Sequence, residues 1–343
     1  MKTFKKAAEI KVGVVGYGGA FNMGRAHLNE MKQAGMTPVA VVEIDPKRLE
    51  AASADFPGIE TYSSVDAMLK KSSVNVVTLI TPHNTHASLG VKCLKAGRHV
   101  VAEKPMAITT AECDAMIAAA KKSKVVLSTY HNRHWDNIIL GAMEHLKKGE
   151  IGKIVRIDVK MGGYGKPGDW WRTSKSISGG ILYDWGVHLL EYTLQLMDSD
   201  ITEVSGHTWS GIWANETKWK KDTNEDEGFV VVRFANGAWS TLQITSIEMR
   251  PDPSWFKVTG TKGTMVMNWD ATEIVTQDGA NRVSTRYPNP QSEGWKFYQN
   301  IADHLTKGSK LVITPEWARR PIHILDLAGQ SSKAKRAMQP KYK

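Results

Sequence analysis

Two places in the chain bring together residue types that handle protons. One is Lys104, in the stretch RHVVAEKP (98–105), where Val100 to Ala102 run straight into an acid, a base and a proline. A strand buried on both faces has no reason to end on a lysine unless the lysine has a use. The plain alternative is a surface lysine, but the strand end leaves it little freedom to point elsewhere. The other place is SGGILYDWGVHLLEY, where Asp184 and His188 stand four residues apart at the start of a helix-like run. That spacing puts both side chains on one face. A lone histidine there would read as a satisfied core group. With a carboxylate beside it and Gly179 and Gly180 before it, the pair reads as proton-handling. The imidazole can take a proton near neutral pH and the carboxylate can hold its orientation. The two glycines would let backbone come close to a ligand.

A third stretch supplies a place for an anion. The first strand-like run ends in GYGGAFNMGRAH, where Gly16 and Gly18 have the spacing of a dinucleotide turn. Small residues at such a turn let backbone approach a pyrophosphate at a helix N-terminus. The third glycine is late, since Gly24 follows Gly18 by six residues. The second strand-like run ends at Glu43, whose carboxylate can accept hydrogen bonds from both ribose hydroxyls and would repel a 2′-phosphate. Ile44 follows it where an arginine would favour that phosphate, so NAD is expected in preference to NADP.

These residues need elements to position them. Strand-like runs at 10–16, 38–43, 74–80, 98–103 and 124–130 alternate with amphipathic helical runs such as GRAHLNEMKQAG and THASLGVKCLKAG. Such alternation implies a parallel sheet with helices on its faces. None of the twelve tryptophans precedes Trp135, and beyond it the rhythm changes to longer strands such as KIVRIDVKMGG, EGFVVVRF and AWSTLQITSIEMR. Asn236-Gly237, between two of these, marks a hairpin. The expected class is α/β, with an N-terminal Rossmann domain (1–131) and a substrate-binding and oligomerisation domain (132–315) built on a large, mostly antiparallel open sheet. A C-terminal helix and tail (316–343) should pack back on the first domain. The 343 residues suit two cores.

Composition excludes several classes. At 41% hydrophobic and 23% charged the chain is an ordinary globular protein, and no apolar run reaches membrane-span length. The basic start leads into a glycine turn with no small-residue cleavage site, so no signal peptide is read. Two cysteines, Cys93 and Cys113, give neither a disulfide framework nor a metal spacing, which suits a reducing cytoplasm. No metal is expected. The net charge of +10 comes from scattered basic residues, which suits a field attracting an anionic cofactor or substrate better than nucleic acid.

Taken together, AEKP, the TP...H segment before it and GG...D-x-G-x-H resemble the glucose–fructose oxidoreductase / inositol dehydrogenase / MocA family of NAD(P)-dependent enzymes, over nearly the whole chain. The resemblance implies Lys104, Asp184 and His188 as the catalytic set. It implies cofactor contacts from Gly16, Tyr17, Gly18, Gly19, Ala20, Glu43, Thr81, Pro82, His83, His86, Glu103 and Lys104. Trp171 and Arg172 resemble a pair lying near nicotinamide and substrate, and Arg133 matches a family arginine that would meet substrate. The glycine loop departs from the pattern by about three extra residues, AFN among them. A homo-oligomer, dimer or tetramer, is implied as well.

The chemistry expected is hydride transfer between nicotinamide and a secondary alcohol. His188 would take the hydroxyl proton and Lys104 would donate to the same oxygen, with Asp184 orienting one of them. A lysine base with histidine in support is the other arrangement. Tyr164, Trp170, Trp171 and Trp213 suit the C–H faces of a sugar or cyclitol ring. The substrate is therefore expected to be a sugar, polyol or cyclitol. Two rival readings are a glycosidase or epimerase that oxidises its sugar transiently on tightly held NAD, and a non-catalytic NAD-sensing module.

Overall fold

A computed structural model describes residues 3–343. By its contacts the chain divides into two compact units. The first takes the described residues up to Asn132 together with Trp295–Arg319, and the second takes Arg133–Gly294 and Arg320–Lys343.

The first unit is a six-stranded parallel sheet of β1 (Lys11–Val15), β2 (Thr37–Val42), β3 (Glu60–Tyr62), β4 (Val76–Leu79), β5 (His99–Ala102) and β6 (Leu127–Thr129), ordered β3-β2-β1-β4-β5-β6. Helices α1 (Met23–Gln33), α2 (Pro46–Asp55), α3 (Val65–Lys71), α4 (His86–Lys95) and α5 (Thr110–Ser123) connect the strands. β4 and β5 are buried at every position, so apolar residues predominate on both their faces rather than alternating with exposed polar ones. The order reverses between β1 and β4, and ligands of open α/β sheets bind outside the strand ends at such a switch point. The expected Rossmann sheet is present. β3 went unread because its three residues, Glu60 to Tyr62, are polar and largely exposed.

The second unit holds α6 (Asn137–Lys148), β7 (Ile154–Gly162), α7 (Lys175–Ser178), α8 (Leu182–Leu196), β8 (Ile201–Trp209), β9 (Glu227–Phe234), β10 (Trp239–Thr245), β11 (Phe256–Gly260), β12 (Gly263–Met267), β13 (Ala271–Asp278) and β14 (Asn281–Pro288). Its eight strands run in the order β14-β13-β12-β11-β7-β10-β9-β8. Among these neighbours only β7 and β10 are parallel. The Asn236-Gly237 turn joins β9 to β10, with Gly237 at φ +85° and the Ala238 amide donating to the Asn236 side chain. Leu242 and Ile244 of β10 face Gly186 of α8, where a Cβ would lie a tight 3.2 and 3.4 Å from their tips. The opposite face carries Phe229, Val231, Trp239, Thr241 and Gln243, all half-buried.

The units divide the chain differently from the boundaries expected. α9 (Lys296–Lys307) belongs to the first unit, where its Tyr298 hydroxyl lies 3.2 Å from Thr78 Oγ1 of β4. The first turn of α10 (Pro315–Ala334) belongs to the first unit, where Arg319 pairs with Asp114 and Glu316 with Lys121. The remainder of the helix and the tail pack on β8 instead. Gly206 leaves space for the Ala328 backbone, its amide donates to Ser331 Oγ, and Val204 pairs with Met338. No helix among the described residues is long and apolar enough to cross a membrane.

Candidate active site

Three loops of the first unit leave the carboxyl edge of its sheet near the switch point. The glycine loop follows β1. Gly16 sits at φ +102°, and a side chain on it would strike the Ile80 carbonyl at the end of β4, so only glycine fits. Gly18 faces open space, with no atom within 4 Å of where a Cβ would sit. That bare backbone before a helix fits a pyrophosphate. Gly24 enters α1 against the Tyr17 ring and the Gly16 carbonyl, where a Cβ would lie 2.6 and 2.9 Å from them. Despite its late spacing it fills the close-packing role of the third fingerprint glycine, so the extra residues bulge between Gly18 and the helix. Tyr17 pins the loop by donating to Asp55, which Arg25 also holds. Burial first and that hydrogen bond second push the Tyr17 hydroxyl up to about 12, so it stays a donor.

Glu43, just past β2, braces the same loop. Its Oε2 accepts from the Tyr17 amide at 2.7 Å, and its Oε1 accepts from the amides of Ile44 and Asp45 at 2.7 and 3.3 Å. Of the roughly four lone-pair sites on a carboxylate these use three, leaving about one for a ribose hydroxyl rather than the two expected. The guanidinium of Arg48, one turn into α2, lies against Gly19, whose missing side chain leaves it room. Ala20 continues the loop as exposed backbone.

The second and third loops follow β4 and β5, and one imidazole clamps them. His86, the fully buried first residue of α4, places Nδ1 2.8 Å from the Pro105 carbonyl and Nε2 2.9 Å from the Thr81 carbonyl. Burial lowers its pKa. The histidine therefore faces the loops and fastens them. Pro82 accepts from the Thr85 amide, Thr81 and Thr85 share a hydroxyl contact of 2.6 Å, and His83 is buried beneath the turn. Beyond β5, Glu103 accepts from the Lys104 amide at 2.9 Å. A Thr109–Glu112 capping box then starts α5 and fixes where the chain leaves the loop.

The second unit carries the other half of the expected set. α8 presents Asp184 in its first turn and His188 one turn on. Asp184 accepts from Arg172 Nη1, whose guanidinium lies 5.2 and 5.1 Å from the Trp170 and Trp171 rings. The resemblance-implied Trp-Arg pair is thereby joined to the acid. His188 is buried and meets the Trp185 ring edge at 5.7 Å. Gly179 and Gly180, expected to admit a ligand, have a reason inside the protein: side chains there would strike the Tyr183 ring and the Glu225 carboxylate that accepts from the Ile181 amide.

Other expected contacts are tied up within the unit. Arg133 donates to Asp136 at 2.7 Å and lies 4.9 Å over the Trp185 ring. Trp213 is buried, donates to Ser246 Oγ and meets Tyr164 edge-on, so of that pair it is Tyr164, 52% exposed, that offers a face. Sequence reasoning passed over His27, which contacts Glu103. The signal available was its place in the buried stripe Gly24, His27, Leu28 and Met31 of α1.

A family model described as oxidoreductase family, NAD-binding Rossmann fold, matches residues 10–131. The model of the Gfo/Idh/MocA C-terminal domain matches residues 139–266. The scyllo-inositol 2-dehydrogenase (NADP(+)) of Bacillus subtilis is 26% identical over 98% of both chains. The levoglucosan dehydrogenase of Pseudarthrobacter phenanthrenivorans is 26% identical over 83% of this chain and 82% of its own. A crystal structure of an NAD-binding protein from Listeria innocua superposes with a TM-score of 0.82 at 27% identity, covering 98% of this chain and 97% of that one. With both domain models matched in order along a Rossmann sheet and a mostly antiparallel one, the chain belongs to the Gfo/Idh/MocA family of oxidoreductases.

Proposed function

We propose that the protein is a dehydrogenase that transfers a hydride between the nicotinamide of NAD and a secondary alcohol of a sugar, polyol or cyclitol. The observation that carries this is the position of Glu103-Lys104 at the carboxyl edge of β5, on the same edge as a glycine loop bare enough for a pyrophosphate. The substrate class follows relatives named for scyllo-inositol and levoglucosan.

In this reading a nicotinamide cofactor held at the glycine loop would supply the hydride acceptor. Lys104 donates to the substrate oxygen and stabilises charge as it develops. His188 takes the hydroxyl proton. Arg172 holds Asp184 in place, and Asp184 orients the proton-handling groups. Trp171 and Tyr164 line the ring faces of the substrate. A homo-oligomer forms through the uncovered face of the second sheet.

NADP is a second reading, favoured by Arg48. A guanidinium over the glycine loop suits a 2′-phosphate, and a relative is named for NADP(+). Glu43 favours NAD as the better substrate.

A screen of cyclitols, aldoses, uronic acids and anhydrosugars, following NADH absorbance, tests the reading. Net NADH formation separates a dehydrogenase from an enzyme that regenerates bound NAD. With the best alcohol, Lys104→Ala should lower kcat about a hundredfold or more while NADH still binds. Lys104→Arg should not restore it, because a planar fork cannot replace a compact ammonium. A Lys104→Ala enzyme keeping more than about a third of kcat would remove Lys104 from the mechanism.

A further inference from the structure

We propose that His27 is the positioning residue that fixes Lys104, acting through the carboxylate of Glu103. The inference rests on the reading of Lys104 as the group that meets the substrate oxygen. His27 is 0% exposed, on the face of α1 turned to the sheet. Its Nε2 lies 3.0 Å from Glu103 Oε1, and its Nδ1 lies 2.7 Å from the Tyr298 hydroxyl. An ionised carboxylate can only accept, so Nε2 carries a proton and donates it. The other carboxylate oxygen, Oε2, accepts from the Lys104 amide at 2.9 Å. One side chain therefore ties α1 to the backbone that carries the lysine.

The imidazole has little freedom to move. The Tyr130 ring meets it edge-on at 4.2 Å, and the Tyr130 hydroxyl is itself anchored to Glu30 Oε2 at 2.6 Å. Behind it, Tyr298 reaches Thr78 of β4. Burial alone would push Glu103 towards protonation, and the His27 contact is the largest influence holding its pKa below the usual carboxylate value. Without that donor the carboxylate either takes a proton or turns away, and each outcome loosens its hold on the Lys104 amide. Small displacements of a catalytic group cost large factors in rate.

The two ring nitrogens separate a positioning role from a general structural one. A glutamine amide reaches the place of Nε2 and keeps the donor to Glu103. An asparagine amide reaches only the place of Nδ1 and keeps the Tyr298 side. If His27 merely supported the core, the two variants would lose activity alike, in step with their melting temperatures.

The first readout is hydrogen exchange at the Lys104 amide, followed by mass spectrometry on peptides spanning residues 99–106, which needs no substrate. His27→Asn should speed that exchange by about tenfold or more, while His27→Gln leaves it near wild type. The second readout is kcat with NAD and the alcohol found in the screen, beside NADH titration by fluorescence. His27→Asn should lower kcat about tenfold to a hundredfold with the NADH dissociation constant changed less than about threefold, and His27→Gln should keep kcat within about threefold. A folded His27→Asn protein with a protected Lys104 amide and near-normal kcat overturns the inference. So does a folded His27→Gln protein that loses both, which decides the matter even if the asparagine variant does not fold. If Lys104→Ala keeps its activity, the reading of the lysine fails, and the exchange result still decides whether His27 holds its backbone.

Discussion

Arg172 donates from a single nitrogen to both oxygens of Asp184, at 3.1 and 3.3 Å, while two indoles flank its guanidinium. The acid on α8 is thus held by a residue from the loop between β7 and α7, and neither partner is fully buried. Half-exposed pairs contribute little to stability, about 0–1 kcal/mol. The effect of breaking this one should appear in catalysis instead.

Arg172→Ala should therefore lower kcat about tenfold to a hundredfold with a melting temperature within a few degrees of wild type. Arg172→Lys restores the charge but not the flat contact with Trp170 and Trp171, and should recover only part of the rate. Steady-state kinetics and thermal denaturation on both variants check this. A large loss of stability with unchanged kcat would make the pair a structural contact.

Cofactor choice should depend on Glu43 and Arg48 in opposite directions. One unfavourable charge contact in a screened site is worth about 1–3 kcal/mol, or roughly tenfold to a hundredfold in affinity. Wild-type protein should bind NADH more tightly than NADPH. Arg48→Ala should weaken NADPH further and leave NADH nearly unchanged, because only the 2′-phosphate would use the guanidinium. Fluorescence titration of both cofactors decides it, and tighter NADPH binding by the wild type would remove Glu43 as the discriminator.

Much of this was legible along the chain, wherever a local pattern carried it. β9 occupies the stretch EGFVVVRF as read, because its apolar residues alternate cleanly between two faces. The glycine turn was readable too, but not the role of Gly24, since spacing alone cannot say that an inserted bulge still brings that residue onto Tyr17. β14 was invisible because all eight of its residues are exposed at the sheet edge and carry no apolar pattern. The Tyr298 contact behind His27 was out of reach for another reason. His27 and Tyr298 are 271 residues apart, and only the return of α9 to the Rossmann sheet brings them together. That backbone amides already engage the Glu43 carboxylate was likewise illegible, because those contacts depend on how the loop after β1 folds back on it.

Acid stability should depend on His99. Burial chiefly, with a smaller contribution from nearby His304, pushes its imidazole down to about 4, and its Nδ1 accepts from the Val126 amide, which a protonated ring could not do. A folded-state pKa below the unfolded value of about 6.5 means that folding favours the neutral ring. The stabilisation is complete above about pH 6.5 and is lost as pH falls towards 4, reaching about 3 kcal/mol. His86, buried with its pKa also lowered, adds in the same direction. Urea denaturation at pH 7.5, 5.5 and 4.5 should show falling stability, and His99→Gln, less stable at pH 7.5, should show a shallower fall. Parallel pH profiles for the two proteins would sink this assignment.

The last expectation concerns the uncovered face of the second sheet. α6, α8 and α10 pack on the side that carries Val204, Leu242 and Thr272. The other side presents Phe229, Val231 and Trp239 among polar neighbours, with none of these three fully exposed. Aromatic and branched residues in the middle of a flat face, ringed by charged ones such as Arg156, Lys160 and Arg233, have the layout of an interface core and its rim. A second copy of the chain related by a two-fold axis could cover them. Light scattering at micromolar concentration should give at least twice the chain mass of 38.0 kDa. Val231 sits opposite Thr241 near the centre of the face, and a lysine there would place an unpaired charge in the contact without touching the core beneath. Val231→Lys should therefore shift the protein towards the monomer while its circular dichroism spectrum stays that of the wild type. A wild-type protein of single-chain mass at these concentrations would show that the face is simply solvated.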